Sequence, residues 1–157
     1  MRKLIIALAA ASLAPLAQAA EISVGYSDEF QEKLTDDYGA REGEKLVSDI
    51  REDIEHAFNK AGIDPAKVTV TIVDAKPNRP TMKQMTDQPG LDMLRSKSIG
   101  GMKLVGTAYD ASGTVLGEVE YDWYESDIRQ VYAAGVWQDA NRASRNFARR
   151  LAEQISN

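Results

Sequence analysis

The single histidine of the chain, His56, has carboxylates on the preceding turn of a predicted helix. Glu52 lies four residues before it, and Asp49 and Asp53 are nearby, so a carboxylate and an imidazole share one helix face. Such a pair can transfer protons or bind a divalent cation, but a zinc site needs at least three protein ligands. The chain has no second histidine and no cysteine. We therefore favour a solvated helix surface, and we expect no metal site and no cofactor.

Carboxylates also recur along a predicted β-hairpin. Residues 110–127 contain six acidic residues and no basic residue. Alternation along the second strand places Glu118, Glu120 and Asp122 on the outer face of the sheet. Paired carboxylates about 5–9.5 Å apart can cleave glycosidic bonds, so these residues are the candidate acid and base of a glycan hydrolase. A row of like charges also keeps an open sheet from aggregating, and we favour that structural interpretation.

A proline-rich stretch in the middle of the chain suggests a binding loop. Residues 77–90 read PNRPTMKQMTDQPG and contain three of the five prolines. Thr81 and Gln84 match a capping box, which predicts a short helix and an ordered segment that acts either as a lid or as a docking loop. Methionine adapts its shape to partners, and arginine is enriched at interfaces. The candidate partner-binding residues are Arg79, Met82, Lys83 and Met85 from this stretch, with Tyr124 and Tyr132 from the aromatic C-terminal part.

Hydrophobic periodicity predicts the elements that position these residues. Four segments alternate as strands do, and two carry apolar residues at three- and four-residue steps as amphipathic helices do. The predicted strands are 21–26, 68–74, 99–109 and 114–123, and the predicted helices are 40–61 and 137–155. Two helices with one apolar stripe each need a shared surface. We therefore predict an α+β fold, with about four strands in an antiparallel or mixed sheet and both amphipathic helices packed on one face.

The N-terminus predicts export. Residues 1–19 combine two basic residues, an apolar core of about a dozen residues and an A-x-A site, which is the pattern of a signal peptide that is removed by cleavage after Ala19. The apolar core is too short to cross a bilayer, which takes about twenty residues. Residues 20–157 then form a single α+β domain that is periplasmic or secreted, and we expect no transmembrane span in it.

Composition argues against several classes of function. The absence of cysteine excludes thiol catalysis, thiolate metal sites and disulfide chemistry. Residues 20–157 contain 17 basic and 24 acidic residues, a net charge of −7 with the histidine neutral. This acidic balance argues against nonspecific binding to nucleic acid or to anionic lipid.

The layout resembles that of small exported α+β envelope proteins of bacteria, a group with no assigned function. The stretches that carry the resemblance are VTVTIVDAKPNRPT, SIGGMKLVGTAYDASGTVLGEVEY and NFARRLAEQI. The resemblance covers most of residues 20–157 and implies the same arrangement of strands and helices. It contains no catalytic motif, so it implies no catalytic residue.

These features together predict an exported, non-catalytic protein that binds another component of the cell envelope, either a protein or a cell-wall component. Two alternatives stay open. One is the carboxylate-dependent hydrolase of glycans, and the other is a purely structural or stress protein of the envelope.

Overall fold

Residues 20–131 and 135–157, which this computed structural model describes, contain one sheet with the strand order β1-β2-β3-β4. The strands are β1 (Glu21–Tyr26), β2 (Lys67–Lys76), β3 (Gly101–Tyr109) and β4 (Val115–Tyr124). β1 and β2 are parallel, whereas the β2–β3 and β3–β4 pairs are antiparallel. The predicted α+β fold is confirmed, and the sheet is mixed. The predicted signal peptide and Tyr132 lie outside the described residues.

Four α-helices accompany the sheet within these ranges. They are α1 (Asp28–Lys33), α2 (Ala40–Ala61), α3 (Met82–Asp87) and α4 (Gln138–Ser156). The long helices α2 and α4 correspond to the two predicted amphipathic helices. The structure adds α1 before α2 and α3 between β2 and β3. A π-helical turn, Leu34–Tyr38, continues α1.

The core lies between one face of the sheet and the two long helices. Its fully buried side chains include Leu46, Ile50 and Ile54 from α2, Val68 and Ile72 from β2, Leu104 from β3, and Phe147 and Leu151 from α4. Gly106 of β3 shows how closely α4 approaches the sheet. A Cβ atom at that position would lie 2.5 Å from Cζ of Phe147, so the position requires glycine.

One end of the sheet gathers the elements that form the candidate site. Because β2 and β3 are antiparallel neighbours, Lys76 at the end of β2 pairs with Gly101 at the start of β3. Residues 77–100 connect these two positions, and we call them the β2–β3 connection. The π-helical turn and the N-terminus of α4 lie beside it, since Tyr38 packs edge-on against Trp137 with ring centroids 5.5 Å apart.

Candidate anion-binding pocket

A pocket of about 300 Å³ opens at this end of the sheet. Most of its wall belongs to the β2–β3 connection, and Tyr38 of the π-helical turn closes one side. Its polar lining includes the cations Lys76, Arg79 and Lys97 and the side-chain amides of Gln84 and Gln88. The pocket is therefore built largely from the proline-rich stretch that the sequence analysis singled out.

Asn78 anchors the start of the connection to the N-terminus of α4. It is fully buried, and its backbone N–H donates to the carbonyl of Val136 at 2.7 Å. Its side-chain amide donates to Oδ2 of Asp139 at 2.5 Å and to the carbonyl of Ser98 at 3.2 Å, and its Oδ1 accepts from the Asp139 N–H at 2.8 Å. Buried polar groups that are satisfied in this way hold one geometry. Asn78 thus ties together segments that are 61 residues apart in the chain.

The other end of the connection is held by the same carboxylate. The Gly100 N–H donates to Oδ2 of Asp139 at 3.2 Å. A Cβ atom on Gly100 would lie 2.8 Å from both Oδ1 of Asn78 and the carbonyl oxygen of Lys76, so the close approach requires glycine here. Ser98 adds a hydrogen bond from its Oγ to the carbonyl of Pro77 at 2.7 Å. Both ends of the connection are therefore fixed.

The middle of the connection is ordered by a helix cap, as predicted. Oγ1 of Thr81 accepts from the Gln84 N–H at 3.2 Å, and Oε1 of Gln84 accepts from the Thr81 N–H at 3.1 Å. This reciprocal capping box begins α3. Lys83 and Asp87 form an ion pair one turn apart on the exposed side of that helix. The stretch is thus a fixed wall of the pocket rather than a flexible linker.

Arg79 is held in the pocket wall by the next turn of the chain. Its Nη1 donates to the carbonyl of Leu94 at 2.9 Å. Oδ1 of Asp92 accepts from the N–H groups of Leu94 and Arg95, both at 2.8 Å, and thereby shapes this turn. Nε of Arg79 is buried and has no hydrogen-bond partner among the described residues. A buried guanidinium donor without a partner is unusual in a folded protein.

Tyr38 adds a phenol side chain to the lining of the pocket. Burial and then the nearby charges of Asp74 and Asp37 raise the pKa of Tyr38 to about 12, so its hydroxyl stays protonated at neutral pH. The indole N–H of Trp137, against which Tyr38 packs, donates to Oε2 of Glu42 at 2.6 Å. The tyrosine ring is therefore held by a second fixed aromatic side chain.

The charge of the lining is opposite to that of the whole protein. Lys76, Arg79 and Lys97 line the pocket, and no aspartate or glutamate does. In the part of the chain that the structure describes, none of the three cations forms a salt bridge with a carboxylate. Three cations in one concave site raise the local concentration of anions. The pocket is therefore suited to a carboxylate or a phosphate group.

The structure separates the predicted partner-binding residues. Arg79 lines the pocket, whereas Met82, Lys83 and Met85 belong to α3 and are not part of the lining. Met82 is strongly exposed, and Met85 is half-buried. Sequence reasoning missed Tyr38, Lys76 and Lys97. Lys76 is the last residue of β2, and Lys97 lies four residues before the start of β3. Their positions near neighbouring strand ends were the available signal.

Tyr124 is committed to a structural contact. Its hydroxyl donates to Oδ2 of Asp74 at 2.9 Å, and Nζ of Lys33 donates to Oδ1 of the same carboxylate at 2.7 Å. Burial, followed by the charge of Asp74, raises the pKa of Tyr124. The contact links β4 to β2 on the outer side of the sheet. The other predicted aromatic contact, Tyr132, lies outside the described residues.

The acidic row on β4 lies on the open face of the sheet, as the alternation predicted. Glu118, Glu120 and Asp122 are exposed. Nζ of Lys103 on β3 lies 2.7 Å from Oε1 of Glu120 and 3.9 Å from Oδ2 of Asp122, and the hydrogen bond to Glu120 raises the pKa of Lys103. Glu118 and Glu120 also border a depression of about 320 Å³ with Arg150. This arrangement is a charged sheet surface in which a lysine partly neutralises the carboxylates.

A groove of about 570 Å³ between α2 and α4 contains the single histidine. Its lining brings His56 together with Asp53, Arg145, Arg149 and Glu153, so its charge is mixed. Burial raises the pKa of Asp53, and the neighbouring Ser144 and Arg145 oppose that shift. The hydroxyl of Ser144 is buried beside Asp53. No group of three His, Cys, Asp or Glu residues in ranges 20–131 and 135–157 is arranged to hold a metal ion.

The last helix, α4, carries four arginines, and two of them pack against β4. Arg142 lies over the ring of Trp123 and 3.9 Å from Glu125 of the segment that follows β4. Arg150 lies over the ring of Tyr121 at 4.6 Å. Such cation–π contacts hold both arginines against β4.

Comparison with models of protein families, with curated proteins and with solved structures finds no match. In the described part of the chain, no helix has the length and apolar character needed to cross a membrane. The chemistry of the pocket therefore rests on its own residues.

Proposed function

We propose that this chain is an exported, non-catalytic protein that binds another component of the cell envelope by an anionic group held in the pocket. The observation that carries the proposal is the lining by Lys76, Arg79 and Lys97 without a carboxylate, in a domain whose net charge is −7. Export is supported by the signal-peptide pattern of residues 1–19. The periplasm and the cell exterior are both compatible destinations.

The titratable side chains of the pocket are suited to binding. They are two lysines, one arginine and Tyr38, whose raised pKa keeps its hydroxyl a donor at neutral pH. They can neutralise an anion and donate hydrogen bonds to it. Acid–base catalysis by paired carboxylates needs acidic groups around the substrate, and those groups lie elsewhere, on the open face of the sheet. This arrangement supports a binding role.

The size of the pocket limits what enters it. A volume of about 300 Å³ is at the lower end of ligand sites, so it admits one charged group with a few attached atoms. The partner is therefore a larger molecule that presents a carboxylate or phosphate at its end or on its surface. Envelope proteins, cell-wall polymers and lipids all carry such groups.

Site-specific photo-crosslinking in the native host tests the proposal. A photoreactive residue replaces Gln88, which borders the pocket, and the matched control replaces Lys60, which lies on α2 at the groove. We expect position 88 to give a discrete adduct, identified by mass spectrometry, that disappears when Arg79→Gln is added. An absence of adducts from position 88, or equal adducts from both positions, would contradict the proposal and favour a purely structural role.

A further inference from the structure

The β2–β3 connection inverts the charge of the molecule locally. Residues 77–100 contain four basic and two acidic residues, a net charge of +2, whereas the rest of residues 20–157 contains 13 basic and 22 acidic residues. The molecule is thus polarised, with a basic connection on an acidic body. Charges are screened beyond about 8 Å at physiological ionic strength, so an anionic surface that touches the connection is attracted while the body is only weakly repelled.

A rigid turn in the same segment presents an apolar side chain to solvent. Leu94 is 80% exposed, compared with 67% for Met82 on α3. It cannot easily fold inward, because Asp92 fixes its N–H and Arg79 fixes its carbonyl. The Ser96 N–H donates to the Asp92 carbonyl at 2.9 Å and closes the turn. The exposure of Leu94 is therefore built into the backbone.

Single exposed leucines are common on protein surfaces, but this one belongs to a segment with several cations and one nearby carboxylate, that of Asp92. Arg95 follows it, Lys97 lies three residues on, and Arg79 donates to its carbonyl. An exposed apolar side chain in a segment rich in cations matches the interface of an anionic bilayer, where acyl chains lie beneath a layer of phosphates. Two of these cations, Arg79 and Lys97, also line the pocket.

We infer that the β2–β3 connection docks on an anionic phospholipid bilayer, with Leu94 inserted between the lipids and one headgroup phosphate held in the pocket. This inference rests on the proposed function and names its ligand class. Net charge alone argued against anionic lipid, and the inference depends instead on how the charge is distributed.

Vesicle co-sedimentation tests the inference with the processed chain, because the apolar leader would bind vesicles by itself. We expect sedimentation with vesicles of mixed phosphatidylglycerol and phosphatidylcholine, and little with phosphatidylcholine alone. Arg79→Gln with Lys97→Gln is expected to lower the partition coefficient about 25-fold, at about fivefold for each cation near the surface. Leu94→Ser is expected to lower it about tenfold or more, since the burial of a leucine is lost. The matched control, Arg145→Gln with Arg149→Gln, removes the same charge from the groove and should leave partition unchanged.

Tryptophan fluorescence gives a second readout of membrane binding, which is needed if the charge variants fold poorly. Leu94→Trp changes only the exposed apex of the turn, and its fluorescence is expected to shift to the blue with phosphatidylglycerol vesicles. No such shift and no sedimentation would overturn the inference. Equal losses in the pocket and groove variants would also overturn it, because binding would then be nonspecific. If vesicles fail but position 88 still gives a protein or glycan adduct, or inorganic phosphate still binds, the bilayer is the wrong partner and the proposed function stands.

Discussion

The pocket and the α2–α4 groove both contain several cations, yet they differ in what surrounds those cations. In the groove, Arg145 and Arg149 share the lining with Asp53 and Glu153, and Arg149 lies 2.8 Å from Glu153. In the pocket, the cations share the lining with amides, hydroxyls and prolines. The groove therefore balances cations with carboxylates within its own lining, whereas the lining of the pocket contains cations without a carboxylate. Whether carboxylates share the lining with the cations, more than the number of basic residues, distinguishes an anion-binding site from a charged surface.

The two regions also differ in how their buried polar groups are satisfied. Asn78 and Asp139 at the pocket exchange two hydrogen bonds and hold the ends of the β2–β3 connection. At the groove, Asp53 is half-buried and its pKa is raised, because burial outweighs the opposing contributions of Ser144 and Arg145. A satisfied network rigidifies a structure, and a partly satisfied one lowers its stability. The same kind of substitution should therefore have opposite effects in the two places.

The largest effect is expected at the pocket. Asn78→Ala would leave the buried Asp139 carboxyl with the Gly100 N–H alone, and we expect a loss of about 3 kcal/mol in the free energy of unfolding. Urea denaturation at neutral pH measures it. Asn59→Ala, an exposed control on α2, should change stability by less than about 0.5 kcal/mol. Equal stabilities of Asn78→Ala and the wild type would show that the network does not hold the connection.

A smaller effect of opposite sign is expected at the groove. The folded-state pKa of Asp53 is raised above its unfolded value, so the native state binds the proton more tightly and stability is lost as pH rises through the folded pKa. Asp53→Asn removes that loss and should stabilise the protein at pH 7 by at most about 0.5 kcal/mol, given its partial exposure.

The pH dependence of the stability gain tests whether the raised pKa of Asp53 is its cause. The gain from Asp53→Asn should shrink as pH falls and vanish below about pH 3.9, the ordinary pKa of an unfolded aspartate. Asp49→Asn on the same helix is the control, because Asp49 pairs with Lys45 and its removal should be neutral or slightly destabilising. Chemical denaturation across pH 3–8 measures both variants. A gain that is independent of pH would contradict the assigned cause.

Local sequence patterns predict most of the fold and only part of the pocket. Periodicity predicts α2 and α4, and alternation predicts the β3–β4 hairpin, because both patterns lie within single elements. The capping box at Thr81 and Gln84 likewise predicts α3. The register shift between Ile72 and Asp74 and the π-helical turn have no comparable local signature.

The residues that sequence reasoning missed are those placed by distant contacts. Asn78 and Asp139 meet only because the N-terminus of α4 packs on the start of the β2–β3 connection. Tyr38 reaches the pocket from before α2, and the parallel pairing of β1 with β2 brings it there. Arg79 was found because it lies within a stretch of unusual composition. A pocket that combines residues 76–98 with the distant Tyr38 is visible only once the chain is folded.

The most direct test of the central claim is a titration of ¹⁵N-labelled protein comprising residues 20–157 with inorganic phosphate, followed by two-dimensional NMR. We expect saturable shifts of the backbone amides of Arg79, Lys97 and Ser98, with those of Arg145 and Arg149 unaffected. Arg79→Gln with Lys97→Gln should abolish the shifts, whereas Arg145→Gln with Arg149→Gln should preserve them. Shifts centred on the α2–α4 groove, or shifts that grow without saturation across the whole surface, would contradict an anion-binding pocket.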